Sequence, residues 1–183
     1  MRRDAQANRE RILAAAEQVF GQRGPAGSTE EVARLAGTGI ATIFRHFPTK
    51  DALIEATLLR HFERLTEQAR RLTEREDPVA ALRRLLQTLI ESSATKLTLA
   101  AQLTDDPASS ASLVAASHRL RDALHEVLAR AQATGAVRRS VQVDELFLLI
   151  RGLSQAQLTA STDPGTVTRA IDLILAGLAE PAR

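Results

Sequence analysis

The chain lacks cysteine altogether and is poor in aromatic residues. Its 183 residues include no Trp and no Tyr, and Phe occurs five times. Without cysteine the protein can form neither a disulfide framework nor a thiol-based active site. Phe147 is the single aromatic residue after Phe62, so an aromatic cage for a cationic ligand is poorly supported. These absences exclude several classes of site before any motif is considered.

Long apolar runs and a large charge excess are also missing. No uncharged apolar stretch reaches the roughly 18 residues that suggest a membrane span. The N-terminus is charged from the start and has no apolar core of signal-peptide length. We therefore expect a cytoplasmic protein. The formal net charge is +2, so global charge argues only weakly for nucleic-acid binding and local patterns have to carry that case.

Helical periodicity is present along the whole chain. Apolar residues recur three and four positions apart, beginning with the stripe of Ile12, Ala16 and Phe20, and no segment shows strand-like alternation. The sequence therefore predicts an all-α fold. A first helix is expected to end near Gln22, and a long fourth helix to run from Thr49 to about Arg75.

Acidic residues predict several further helix boundaries. Asp77 and Asp163 each precede proline, an arrangement typical of an N-cap followed by the first helical position. Asp144 is expected to cap another helix, and residues 105–107 to form a break. A short helix is predicted over residues 96–103 and a longer one over residues 110–134.

The stretch from Ser28 to Lys50 indicates two short helices joined by a tight turn. Ser28 and Glu31 have the spacing of a capping box, and Gly37 is expected to end the first helix. In the second helix Ile43 and Phe47 lie four residues apart and are predicted to face the core. The pattern is typical of a helix-turn-helix, whose second helix enters the major groove of DNA.

This stretch resembles the N-terminal DNA-binding domain of the TetR family of bacterial transcriptional regulators. The resemblance is carried by EEVARLAG, TIFRHF and PTKDALIEA, and it extends back through RILAAAEQVFGQRG. It implies a helix-turn-helix domain over residues 1–55, with the motif at about 28–47. Residues 56–183 would form a larger helical domain for ligand binding and dimerisation. A helical hairpin in an unrelated all-α protein is the alternative.

The resemblance also implies which residues touch DNA, with contacts to bases from the second helix and to phosphates from neighbouring positions. The predicted set is Thr29, Thr38, Gly39, Ile40, Ala41, Thr42, Phe44, Arg45, His46 and Lys50. Where the family pattern usually has Tyr, this chain has Phe44, and Ile40 replaces a frequent Lys. Apolar side chains at these positions can pack on thymine methyl groups.

The last two predicted helices are strongly apolar and fit a four-helix interface between two copies of the chain. The helix that begins near Glu145 is apolar on all sides, and the final helix repeats apolar residues with spacings of four, three and four. The predicted interface residues are Leu149, Leu153, Val167, Ile171, Ile174 and Leu178. Packing of this seam within one chain is the alternative.

TetR-like regulators carry a ligand cavity in the C-terminal helices, and here we expect its lining to be mainly aliphatic. Arg151 and Gln155 are candidates for fixing an anionic or polar effector. A salt bridge or a dimer rim is the alternative. The predicted lining is Phe62, Leu89, Ser93, Ala100, Leu103, Leu113, Ser117, Leu120, Phe147, Arg151 and Gln155.

Metal and catalytic chemistry find little support. His118, Asp122 and His125 share one helical face, a spacing that can hold a transition metal, but a solvated face explains them as well. We predict no metal, no cofactor and no catalytic residue, because nucleophile triads, paired carboxylates and phosphate loops are absent from the sequence.

Together these features predict a one-component repressor, not an enzyme. As a homodimer it would bind a palindromic double-stranded operator and be released by a small-molecule effector, without a membrane partner. An architectural DNA-binding dimer and a helical enzyme are the alternatives.

Overall fold

The computed structural model describes residues 2–103, 107–159 and 163–179. Within these ranges the chain is helical, and the one strand-like feature is an isolated antiparallel bridge between Val137 and Ala179. The predicted all-α class is confirmed. Helices α1 to α9 span Arg2–Arg23, Thr29–Ala36, Ile40–His46, Lys50–Arg75, Pro78–Glu91, Ser93–Ala100, Pro107–Ala133, Val143–Thr159 and Pro164–Leu178, and a 3-10 turn covers Gly24–Ala26.

Two of the predicted helix starts have the expected caps. The Asp77 carboxylate accepts hydrogen bonds from the backbone N–H groups of Val79 and Ala80, at 3.0 and 3.1 Å. The Asp163 carboxylate accepts one from Thr166 at 3.2 Å. In both helices proline is the first residue, where its missing N–H costs no intrahelical hydrogen bond.

Other predicted boundaries were wrong. Asp144 does not cap α8, because the helix already begins at Val143 and the Glu145 carboxylate reaches back to the Gln142 N–H at 2.8 Å. Asp144 instead forms an ion pair with Arg121. Helix α6 ends at Ala100 and α7 begins at Pro107, both earlier than expected. Asp105 and Asp106, in the predicted break, lie outside the described residues.

The described chain divides into two compact units. The first combines residues 1–62 with 95–116, and the second combines 63–94 with 117–183. The limit at residue 62 lies within α4, as does the domain boundary expected after residue 55. The assignment of domains to functions stays a prediction.

The core of the first unit is formed by the apolar stripe of α1 and the inner faces of α2, α3 and α4. Ile12, Leu13, Phe20, Ile43 and Leu53 are all completely inaccessible to solvent. The α1 stripe was predicted from its spacing, and α1 packs against α2, which in turn contacts α3.

In the second unit, α5 packs against α8 and α9. The end of α9 is held by Arg138, whose backbone N–H donates to the Leu178 carbonyl oxygen at 2.9 Å and whose guanidinium donates to that of Gly177. Among the described helices of both units, none is long and apolar enough to cross a membrane.

Candidate nucleic-acid interface

The first helix of the motif, α2, begins in the predicted capping box. The Ser28 hydroxyl accepts a hydrogen bond from the Glu31 N–H at 3.2 Å, and the Glu31 carboxylate accepts one from the Ser28 N–H at 3.2 Å. The same carboxylate pairs with Arg23 at the end of α1. Local sequence and a tertiary ion pair therefore fix the start of α2 together.

A short turn sets the angle between α2 and α3. Gly37 has the left-handed φ of 63°, a conformation that glycine adopts without steric cost. The Thr38 N–H donates to the Ala33 carbonyl oxygen at 3.0 Å, and the Gly39 carbonyl oxygen accepts from Thr42 at 2.9 Å. The two helices are thus separated by only three residues, as the sequence predicted.

Helix α3 buries one side and presents the other to solvent. Ile43 lies within α3 and is 0% exposed, and Phe47, the residue after its last turn, is 4% exposed. The predicted core role of both residues is confirmed. Ala41 and Arg45 are exposed, whereas Thr42 and His46 are partly exposed. Ile40 and Phe44 retain 37% and 44% exposure, although both are large and apolar. The face that a major groove would meet is therefore open.

The start of α4 is tied to the loop in front of α2. The Thr49 hydroxyl caps α4 by accepting from the Ala52 N–H at 3.0 Å. The Lys50 ammonium donates to the carbonyl oxygens of Gly27 at 2.8 Å and Pro25 at 3.4 Å, and it lies 5.3 Å from the centroid of the Phe20 ring. This geometry favours a structural role for Lys50 over the expected phosphate contact.

Two further expected phosphate contacts have different surroundings. Thr29 is buried, with 8% exposure, so its expected contact with a phosphate stays a prediction. The His46 ring lies 6.1 Å from that of Phe47 and remains partly exposed. Arg45 is exposed, and among the described residues it has no ion-pair partner.

A polar cluster joins α1 to α4 and was not predicted. The Arg60 guanidinium binds Glu10 and Glu17, each at 2.9 Å, and the buried His61 ring lies 2.8 Å from the second oxygen of Glu17. Arg9 also stacks on Phe47, with its guanidinium carbon 5.3 Å from the ring centroid. Spacing along the sequence gives no signal for pairs so far apart.

The expected ligand-lining residues differ in accessibility. Phe62, Leu89, Ser93 and Leu120 are buried, whereas Ala100, Ser117, Arg151 and Gln155 are exposed and Leu103, Leu113 and Phe147 are intermediate. A concavity of about 570 Å³ lies elsewhere, at the end of α7, and is lined by residues from Gln132 to Ser140. None of the expected residues lines it, and the ligand site stays a prediction.

The expected dimer residues are largely covered within one chain. Val167, Ile171 and Leu178 are less than 10% exposed, as the alternative of intrachain packing predicts. By contrast, Leu148 on α8 and Leu173 on α9 are 72% and 75% exposed. Sequence analysis missed these two because Leu173 lies off the regular seam and the apolar run on α8 has no obvious outer side. Leu149 is 39% exposed, and Leu153 and Ile174 are intermediate.

In the part of the chain that the structure describes, no group of three His, Asp or Glu side chains is placed to hold a metal ion. His118, Asp122 and His125 are all exposed on α7.

A capped two-helix motif with an open second helix, supported by α1 and α4, defines a helix-turn-helix DNA-binding protein. Comparison with known proteins identifies its family. Residues 12–62 match the model of bacterial regulatory proteins of the tetR family, and residues 77–180, more than half of the chain, match that of the SbtR-like transcriptional regulator C-terminal domain. The chain belongs to the TetR family, and the family models and solved structures that it matches are those of transcriptional regulators, not of enzymes.

Solved structures of relatives agree over nearly the whole chain. A TetR regulatory protein from Mycobacterium vanbaalenii is 30% identical, covers 98% of this chain and 99% of its own, and superposes with a TM-score of 0.80. A TetR regulator from Streptomyces coelicolor is also 30% identical, with coverages of 95% and 99% and a TM-score of 0.78.

A relative known from its sequence shares a shorter segment. An uncharacterized HTH-type transcriptional regulator of Mycobacterium tuberculosis is 37% identical over 81 residues, which are 44% of this chain. The chain spans 39% of the length of that relative.

Proposed function

We propose that this chain is a ligand-responsive repressor that binds a palindromic operator as a homodimer. The observation that carries the proposal is the open face of α3, where Arg45 has no ion-pair partner among the described residues and the adjoining side chains are free to enter a groove. Two copies related by a two-fold axis would place two recognition helices on two half-sites, which is the reason for a palindrome.

Dimerisation is assigned to the exposed apolar side chains of α8 and α9. Leu148 and Leu173 expose about three quarters of their surface in the single chain. Covering a large apolar side chain stabilises an interface by about 1.5–3 kcal/mol. The covered seam residues Val167 and Ile171 would then support the interface from within each subunit rather than form its contact surface.

Release from DNA is assigned to displacement of α4. This helix runs without interruption from Lys50 to Arg75, and its first half is bonded to α1 through Arg60 and His61. A movement of α4 would therefore act on α1 through these bonds, and on the loop that precedes α2 through the Lys50–Gly27 hydrogen bond. An effector produces release only if it binds the displaced state more tightly than the DNA-bound state.

The first experiment measures fluorescence anisotropy of the full chain on labelled duplex from its own upstream region, with a random duplex of equal length as control, over a range of salt concentrations. The proposal predicts sequence-dependent binding by two subunits, with an affinity that falls as salt rises. Equal weak binding to both duplexes would contradict an operator-specific function.

The second experiment tests release. Straight-chain alkyl carboxylates of increasing length are added to the protein–operator complex, because the expected ligand site combines aliphatic side chains with Arg151 and Gln155. Loss of anisotropy together with a rise in the melting temperature of the free protein would support an effector of this class. If none of these probes, and no member of a wider metabolite set, releases the operator, an architectural DNA-binding role is the better explanation.

A further inference from the structure

We infer that α3 reads thymine methyl groups through an apolar pair formed by Ile40 and Phe44. This inference rests on the proposed operator binding and adds the kind of base contact that gives it specificity. It starts from the exposure of these two side chains, 37% and 44%, on a helix of only seven residues. Large apolar side chains with this exposure leave apolar surface in water unless a partner covers it.

The helical geometry of α3 places the pair on one flank of the surface that faces away from the core. Successive residues of a helix turn by about 100°, so the buried Ile43 and Phe47 define the inner side. Ala41 and Arg45 then lie on the opposite, outermost side of the helix. Ile40 and Phe44, four residues apart, lie along one edge of this outermost side.

The other flank has a different character. Thr42 and His46 occupy it, and both carry groups that can hydrogen-bond to phosphate or to base edges. The outer surface of α3 therefore has an apolar flank and a polar flank on either side of a small residue, Ala41. Because Ala41 is short, the larger flanking side chains can approach the floor of the groove.

The major groove offers one apolar feature that such a flank fits. Thymine presents its C5-methyl group there, whereas the other exposed edges of the base pairs are hydrogen-bond donors and acceptors. The N-terminal residues of a recognition helix are those that approach base edges, and Ile40 is the first residue of α3. A half-site with thymines opposite this flank would cover both side chains.

The test replaces thymine by uracil, which removes only the methyl group and retains the Watson–Crick pairing. Once an operator has been selected with the full-length protein, each thymine in a half-site is replaced in turn. Burial of one methyl group stabilises binding by a factor of about four. We expect one or two positions per half-site at which uracil weakens binding about fourfold, while the remaining positions tolerate it.

Variants assign the effect to the two side chains. In Ile40→Ala and Phe44→Ala, uracil and thymine should be bound almost equally well at the position that each side chain covers. Phe44→Tyr retains the ring and should retain the penalty. Val114→Ala, which removes an exposed apolar side chain on α7, is the matched control and should behave like the wild-type protein.

The results that would overturn the methyl-reading inference differ from the result that would overturn the proposed function. Specific operator binding that is insensitive to uracil at every position would overturn the methyl-reading inference and leave the proposed function intact. A uracil penalty that persists unchanged in both alanine variants would also overturn it, because another side chain would then read the methyl. Absence of sequence-specific binding to any selected duplex would overturn the proposed function and this inference together.

Discussion

The ammonium of Lys50 donates a 2.8 Å hydrogen bond to the carbonyl oxygen of Gly27. This bond joins the first turn of α4 to the loop that precedes α2, and it brings the charge over the ring of Phe20. Lys50, which the resemblance assigns to the DNA backbone, is thus hydrogen-bonded to the protein's own backbone, and its contact with a phosphate stays a prediction.

The position of Lys50 leads to a prediction about salt dependence. Lys50→Met retains the aliphatic stem and removes the ammonium, so it should lower the free energy of unfolding by about 1 kcal/mol, because the charged hydrogen bonds are only partly shielded from water. The slope of log K against log salt concentration for operator binding should stay unchanged, since no phosphate contact is lost.

Arg45→Met is the matched comparison for Lys50→Met. It removes an exposed cation on α3 and should reduce the magnitude of the salt slope by about one, with little effect on unfolding. Chemical denaturation and anisotropy measure the two quantities separately. A reduced slope in Lys50→Met would mean that the ammonium leaves Gly27 and binds a phosphate in the complex.

The Glu17 carboxylate bonds to both Arg60 and His61 and joins α1 to α4. Glu17→Gln retains the size of the side chain but removes the charge, and His61 is only 1% exposed. We expect the free energy of unfolding, measured by urea denaturation, to fall by about 1–2 kcal/mol, because a charged acceptor in a partly buried network is replaced by a neutral one.

Glu67→Gln is the control. It removes the same charge from an exposed pair with Arg71 at 3.9 Å and should change the free energy of unfolding by less than about 0.5 kcal/mol. Equal effects in the two variants would show that the α1–α4 cluster contributes nothing beyond a surface ion pair.

Gly21 of α1 faces Thr95 of α6, and a Cβ atom added at Gly21 would lie 2.8 Å from the Thr95 Cγ2 atom. Glycine to alanine inside a helix usually stabilises by up to about 1 kcal/mol, but here overlap with Thr95 should cancel or reverse that gain. Thr95→Ser removes Cγ2 without removing the hydroxyl, so Gly21→Ala should become stabilising in the Thr95→Ser background. A double-mutant cycle of thermal unfolding measures the coupling, and strictly additive effects would argue against close packing of the two helices.

Local chemistry explains which parts of this structure follow from the sequence. The capping box of Ser28 and Glu31, the left-handed Gly37 and the Asp77-Pro78 helix start depend on residues within one turn of each other, and all were predicted. Asp144 was misjudged because Glu145 reaches back to the Gln142 N–H and Asp144 pairs with the distant Arg121, and the local pattern indicated neither contact.

Contacts between distant residues could not be derived in the same way. Lys50 and Gly27 are 23 positions apart, and Arg60 and Glu17 are separated by 43. Helical periodicity shows that such residues lie on helices but not which partners meet. The exposure of individual apolar residues could not be derived from spacing either. The spacing of α9 predicted its apolar seam, but only the packed chain distinguishes buried Ile171 from exposed Leu173.

The exposed leucines of α8 and α9 provide the most direct test of the dimer. Leu148→Arg and Leu173→Arg should each raise the dissociation constant of the dimer about a hundredfold or more, since each substitution affects both copies and replaces apolar contact with a charge that must be desolvated. Val114→Arg introduces the same charge at an α7 side chain that is 51% exposed and should leave association unchanged. Sedimentation velocity over a range of concentrations measures the association, and circular dichroism shows whether each variant remains folded. If both leucine variants stay folded and associate as tightly as Val114→Arg, the dimer uses a different surface. If they dissociate, operator affinity should fall with them, because one subunit can occupy only one half-site.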